Sequence, residues 1–278
     1  MTRQLAAILG TCLIFTAGAC KTEQPKTEPP RQTAQQTAKP SGEAAAPAPA
    51  PAGDDVAPFA ADPHQHMKAH FVRANKLEDA VLAGNLTEAQ TQGRWLATHD
   101  KEEVPEGWRR YLQPFQAEAS AVGNATSIEA AAAAVAGMAA ACGGCHAANH
   151  VRPKIGTSPI VGRASNVKAH MTEQLQALDR LWDGLMIPSD QAWREGAGLL
   201  ARVAVPEKAL EKEGLDKADS AKVLAQTLRR LSASAAKAAK ADRPQAYAEL
   251  LTTCVGCHVS VRRPVTAAPA AMNTPPQN

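Results

Sequence analysis

The sequence predicts an all-α fold of two tandem four-helix bundles, on three observations. Aromatic residues make up only 4% of the chain. Ala, the strongest helix former, is abundant and β-branched runs are few. Apolar residues recur at three- and four-residue spacing between Gly, Pro and capping signals, the period of helices that bury one face. The chain also repeats itself. Lys68-Ala69-His70 returns as Lys168-Ala169-His170, and Gly84 as Gly184. Val104-Pro105-Glu106 returns as Val205-Pro206-Glu207, and Cys142-Gly143-Gly144-Cys145-His146 as Cys254-Val255-Gly256-Cys257-His258. These matches are 100, 101 and 112 residues apart, so about eleven extra residues precede the second cysteine motif. They are expected to lengthen the third helix of the second half and its partner.

Residues 1–19 read as a signal peptide, with Arg3 followed by an apolar stretch too short to span a bilayer comfortably. The stretch ends in Ala17-Gly18-Ala19-Cys20, which looks like a bacterial lipobox with Cys20 as the lipidated first residue. Ordinary cleavage after the same small-residue triplet would instead leave Cys20 as a free thiol. Both readings imply export, and the first makes the protein a periplasmic or outer-membrane-associated lipoprotein of a Gram-negative bacterium. Residues 20–61 are rich in Pro, Ala, Gln and Thr, with little to bury. They read as a disordered, lipid-anchored tether. The net charge of +3 gives no argument for a nucleic-acid partner.

The first bundle is expected over residues 62–153. Asp62-Pro63 caps its first helix, with Met67, His70, Ala74, Leu77 and Val81 on one face and Gly84-Asn85 as the stop. The second helix runs from about Leu86 to His99, and Pro105 opens the third, which carries Trp108, Tyr111, Leu112 and Phe115. Thr126 with Glu129 reads as the capping box of the fourth, which ends in the first cysteine motif. Residues 154–162 form a Pro/Gly linker and 163–263 the second bundle. Its first helix spans about Ser165 to Met186, Ser189 or Asp190 caps the next, and Pro206 begins a loop. The third helix is expected from Lys217 to Lys240, and Asp242-Arg243-Pro244 opens the last. Residues 264–278 form a disordered tail.

Both motifs spell C-x-x-C-H, the attachment pattern of a c-type haem. Thiols three residues apart on a helix, about one turn, reach the two vinyl groups of one porphyrin, and the adjacent imidazole meets the iron. Cys142, Cys145, Cys254 and Cys257 are therefore the expected covalent attachments, with His146 and His258 as proximal ligands of two haem c groups. A zinc knuckle or a thioredoxin-like pair would also use C-x-x-C, but neither accounts for two such motifs in a chain of six cysteines.

A haem motif on the last helix of each half resembles the cytochrome c-prime class of four-helix bundles. In that class a basic residue usually follows the haem His by four places. Arg262 follows His258 so, whereas the first half has His150 there and Arg152 two places later. The resemblance implies a distal haem face lined by the first helix. His70 and His170, matched in the repeat, are therefore the candidate distal ligands. His66, Met67 and Met171 are competitors, and five-coordinate iron, as in many members of that class, is the other option. His64 and His66 are expected to be exposed, and His99 to sit at a helix C-terminus.

With two haems and no marked substrate machinery, the expected function is single-electron transfer to unknown redox partner proteins near the membrane, not enzyme catalysis. The alternatives are binding or sensing of a small gas, NO or CO, and a dihaem peroxidase-like activity.

Overall fold

The computed structural model describes residues 62–99, 104, 106–153, 164, 166–214 and 219–260. The leader, Cys20, the tether, the linker, Pro105, Arg262 and the tail lie outside them. The described residues are helical, with no strand among them. In chain order the helices are α1 (Pro63–Leu82), α2 (Leu86–Thr98), α3 (Glu106–Gly123), α4 (Ile128–Ala148), α5 (Val167–Met186), α6 (Asp190–Val203), α7 (Glu207–Lys212), α8 (Asp219–Ala235) and α9 (Arg243–Ser260). A short 3₁₀ turn, Lys240–Asp242, leads into α9.

The starts follow from capping chemistry. Asp62 accepts from the backbone N–H of His64 and Gln65, with Pro63 at the first helical position. Asn85, Asn166 and Ser189 cap α2, α5 and α6 in the same way. The cap of α4 is Ser127, whose hydroxyl accepts from Ala130 N–H, and not Thr126. The α1 stop is a Schellman turn. Gly84 takes φ +68, its N–H goes to Val81 O, and Asn85 N–H goes to Ala80 O.

Two expectations about the repeat are corrected. α1 and α5 start at 63 and 167 and end at 82 and 186, both 104 apart, and their caps Asp62/Asn166 and Asn85/Ser189 keep that spacing. The 100-residue match was one helical turn out. Gly184 accordingly does not repeat the job of Gly84. It lies inside α5, where a Cβ would sit 2.8 Å from Trp193 N. His170 thus stands at the position of His66, and Gln174 at that of His70. The extra residues do not lengthen the third helix either. α8 stops at Ala235, and the insertion builds α7 in what read as a loop after Pro206.

α1 packs on α2, α2 on α3 and α3 on α4, while α5 packs on α6, α6 on α8 and α8 on α9. α4 also packs against α9 and α5, and α1 against α9. One apolar core runs through both halves, from Leu77, Val81, Leu96 and Val135 to Leu181, Trp193, Leu200, Leu250 and Leu251. Polar bonds cross with it. Trp182 Nε1 donates to Asn75 Oδ1 at 2.9 Å, and the Tyr247 hydroxyl donates to Glu78. A smaller apolar cluster of Val167, Val205, Leu210 and Ala221, with Met171 and Cys257 against it, lies where α5 begins and α9 ends.

Candidate haem-binding site

α4 and α9 each carry a cysteine motif in their last turns. Helical geometry sets Cys142 above Cys145, and Cys254 above Cys257, on one face. Burial pushes the Cys142 thiol up to about 12, with the neighbouring Cys145 adding to it. Burial and then Cys257 do the same for Cys254, also to about 12. Cys145 and Cys257 are raised less, by burial, and at Cys145 the amide of Asn149 works against the rise. Asn149 Nδ2 donates to Cys145 O at 2.9 Å, tying down the end of α4.

The two motif histidines are held alike. His146 Nδ1 lies 2.7 Å from Met186 O, and His258 Nδ1 lies 3.3 Å from Leu82 O. A backbone carbonyl only accepts, so each Nδ1 carries the proton and Nε2 keeps its lone pair for a metal. Burial lowers the pKa of His258, while its bond to Leu82 O acts in the opposite direction. Neither carbonyl was foreseeable from the motif, because each lies in the other half of the chain.

The proposed distal residues are placed differently in the two halves. His70 is buried on α1, beside a buried His66 one turn earlier and His99 at the end of α2. The ligand atoms of these three imidazoles lie within 4.8 Å of one another. His99 stacks on Trp95 at 4.0 Å and His70 on Phe115 at 5.7 Å. The Arg73 guanidinium covers the Trp95 ring at 4.8 Å and donates to Gln92 at 3.0 Å. His66, expected exposed, is 4% exposed, while His64 and His150 do face solvent. Any of the three imidazoles could ligate a metal at this end of the first half. In the second half, Gln174 and Val203 occupy the positions of His70 and His99, and only His170 remains. It lies in the first turn of α5 between Val167 and Met171, which join Cys257 in the smaller cluster. Its Nδ1 is buried with no hydrogen-bond partner among the described residues.

These residues fit a c-type haem. The motif imidazoles are each held at Nδ1 by a carbonyl, as metal-ligating histidines commonly are, which would leave Nε2 for a metal. The buried, unpartnered His170 nitrogen lies near the thiol end of α9, where a cofactor would meet it.

Sequence reasoning missed a group of acids where α1, α5 and α9 meet, with Glu78 buried and Asp79, Asp179 and Asp183 half-buried. Burial, then the charge of Asp179, raises Glu78 well above the usual carboxylate range, and the Tyr247 hydroxyl offsets part of this. Burial and then Asp79 raise Asp179 to about 6. Burial and then Asp179 raise Asp183 to about 7, against the opposing charge of Arg180. Asp79 is raised by burial. Read one at a time, these acids look like the solvated face of a helix.

Comparison with known proteins adds no assignment: no family profile, curated protein or solved structure matches this chain.

Proposed function

We propose that this chain is an exported dihaem c-type cytochrome that passes single electrons near a membrane. The observation that carries the reading is the matched pair of motif histidines, each with Nδ1 on a helix-terminal carbonyl and Nε2 left for iron. When bound, haem supplies a one-electron carrier whose potential is set by axial ligands and surroundings. The protein's part is to attach, orient and bury it. In this reading α1–α4 form one four-helix unit and α5, α6, α8 and α9 the other, each ending in a haem helix, as in the cytochrome c-prime class. His170 is the sixth ligand in the second half. His70 takes that role in the first, as one of the three-imidazole group. Lipidation at Cys20 would tether the pair to a membrane and within reach of redox partner proteins.

One observation favours a second reading, binding of a small gas such as NO or CO. His70 and His170 do not occupy equivalent positions, so a shared ligand design is not built into the repeat. Optical spectra separate the two. Electron transfer through closed irons predicts a low-spin protein, ferric and ferrous, that does not bind carbon monoxide. A carbon monoxide complex at either haem would move the assignment to gas binding.

A further inference from the structure

We propose that the last helical carbonyl of each half's first helix is the positioning group for the other half's haem ligand, so that the two haem sites are built reciprocally. This rests on the haem reading above and adds a partnership between the halves that the motifs do not contain.

A helix ends with carbonyls that have no partner further along the chain. At the end of α1, the N–H groups of Ala83, Gly84 and Asn85 go to the carbonyls of Asp79, Val81 and Ala80. Leu82 O, on the last residue of α1, is thus left to receive His258 Nδ1. At the end of α5, Ile187 N–H goes to Asp183 O, and Met186 O, again on the last helical residue, receives His146 Nδ1. Leu82 and Met186 are 104 apart, the spacing of the two first helices, and His146 and His258 are 112 apart, the spacing of the motifs. The contacts are therefore one contact made twice, with the halves exchanged. Both acceptors lie at the negative end of a helix dipole, which strengthens their pull on an imidazole N–H.

The backbone must come close for this, and the crossing of α4 on α5 uses a glycine. A Cβ on Gly143 would lie 2.0 Å from Leu185 O, so α4 seats on the end of α5 only because that residue has no side chain. At the other crossing the motif residue is Val255, and Gly84 lies in the turn just after α1, where the contact is ordinary. A Cβ on Gly84 would meet Val255 Cγ1 at 3.7 Å, and the φ of +68 there already favours glycine.

An Nδ1–H bond to a carbonyl raises the basicity of the ligating imidazole and favours ferric iron, which lowers the potential. The contact is shorter at His146 than at His258. Each contact should therefore lower the potential of the haem held by its own motif.

The test uses full-length, haem-loaded protein with Gly143→Ala. As control, Gly107→Ala changes an exposed α3 glycine whose Cβ would meet nothing within 4 Å. Redox titration should show one midpoint rising in Gly143→Ala, with the other unmoved and both unmoved in the control. Nitrogen-15 NMR of labelled histidines should show both Nδ1–H groups protected from solvent exchange in the parent, and His146 losing protection in the variant. Unchanged midpoints and unchanged protection in Gly143→Ala would overturn the proposal. If that variant fails to accumulate, the parent spectrum decides: rapid solvent exchange at either Nδ1–H overturns it, and protection at both supports it. Parent protein without covalent haem would instead defeat the haem reading, and its optical spectrum tells that failure apart.

Discussion

Replacing Asp183 with Asn should flatten the dependence of stability on pH and make the protein more stable above neutrality. Asp183 lies on α5, one turn from Asp179, and burial with that neighbouring charge raises it from 3.8 to about 7. Between those values the folded state holds a proton that the unfolded chain has released. The folded state therefore loses stability as pH rises through that window. A shift of roughly three units at about 1.36 kcal/mol each sets a ceiling of about 4 kcal/mol. Partial solvent access and coupling to Asp179 reduce this to on the order of 2 kcal/mol. The amide of Asn avoids the cost of a buried charge at every pH. Parent and variant should therefore be close in stability near pH 4, and the variant ahead by on the order of 2 kcal/mol near pH 8. His258, lowered mainly by burial, acts the opposite way in haem-free protein, where stability falls as pH drops below its usual range. It is common to both proteins and cancels in the comparison. Guanidinium denaturation followed by far-ultraviolet circular dichroism at several pH values measures the difference. Equal pH slopes, or a variant less stable near pH 8, would refute the reasoning.

Three further outcomes are expected. Tyr247→Phe removes the hydroxyl that donates to buried Glu78 and should cost about 1–3 kcal/mol in a denaturant titration; an unchanged midpoint would show that water replaces the bond. Trp193→Ala empties a fully buried site and removes the Nε1–H that donates to Ala235 O at 2.7 Å, leaving that carbonyl with Ala238 N–H alone, for a loss of about 3–5 kcal/mol; a loss under about 1 kcal/mol would mean that the site collapses around the cavity. His170→Ala should turn one haem high-spin and carbon monoxide-reactive and leave the other unchanged, because the only other histidine of the second half is His258 of the motif itself; a spectrum identical to the parent's would remove His170 from the ligand set.

Helix positions were legible because local chemistry sets them. Asp62-Pro63, Asn85 and Ser189 satisfy N-terminal N–H groups within their own segments, and Gly84 takes the left-handed stop. The register of the repeat was not. A helix returns to the same face after three or four residues, so Lys-Ala-His and Gly matched one turn out while keeping a buried stripe. α7 was hidden because Glu207–Lys212 makes a helix too short for its period to show. His66 looked exposed as a polar residue near a helix start, yet α2 brings His99 over it, with ring centroids 5.3 Å apart. The two C-x-x-C-H motifs could be read from the sequence because they are local spacings. The carbonyls that orient those histidines could not, because Met186 is 40 residues from His146 and Leu82 is 176 from His258.

The central claim is that both cysteine motifs hold haem covalently, and intact mass spectrometry tests it most directly. The protein should be matured in a host that attaches c-type haem, then stripped of non-covalent cofactor with acid and organic solvent. The account predicts a chain mass increased by two haem groups, with peptides spanning Cys142–His146 and Cys254–His258 each carrying one. A correctly matured chain at its bare polypeptide mass, or carrying zinc at these cysteines, would contradict it.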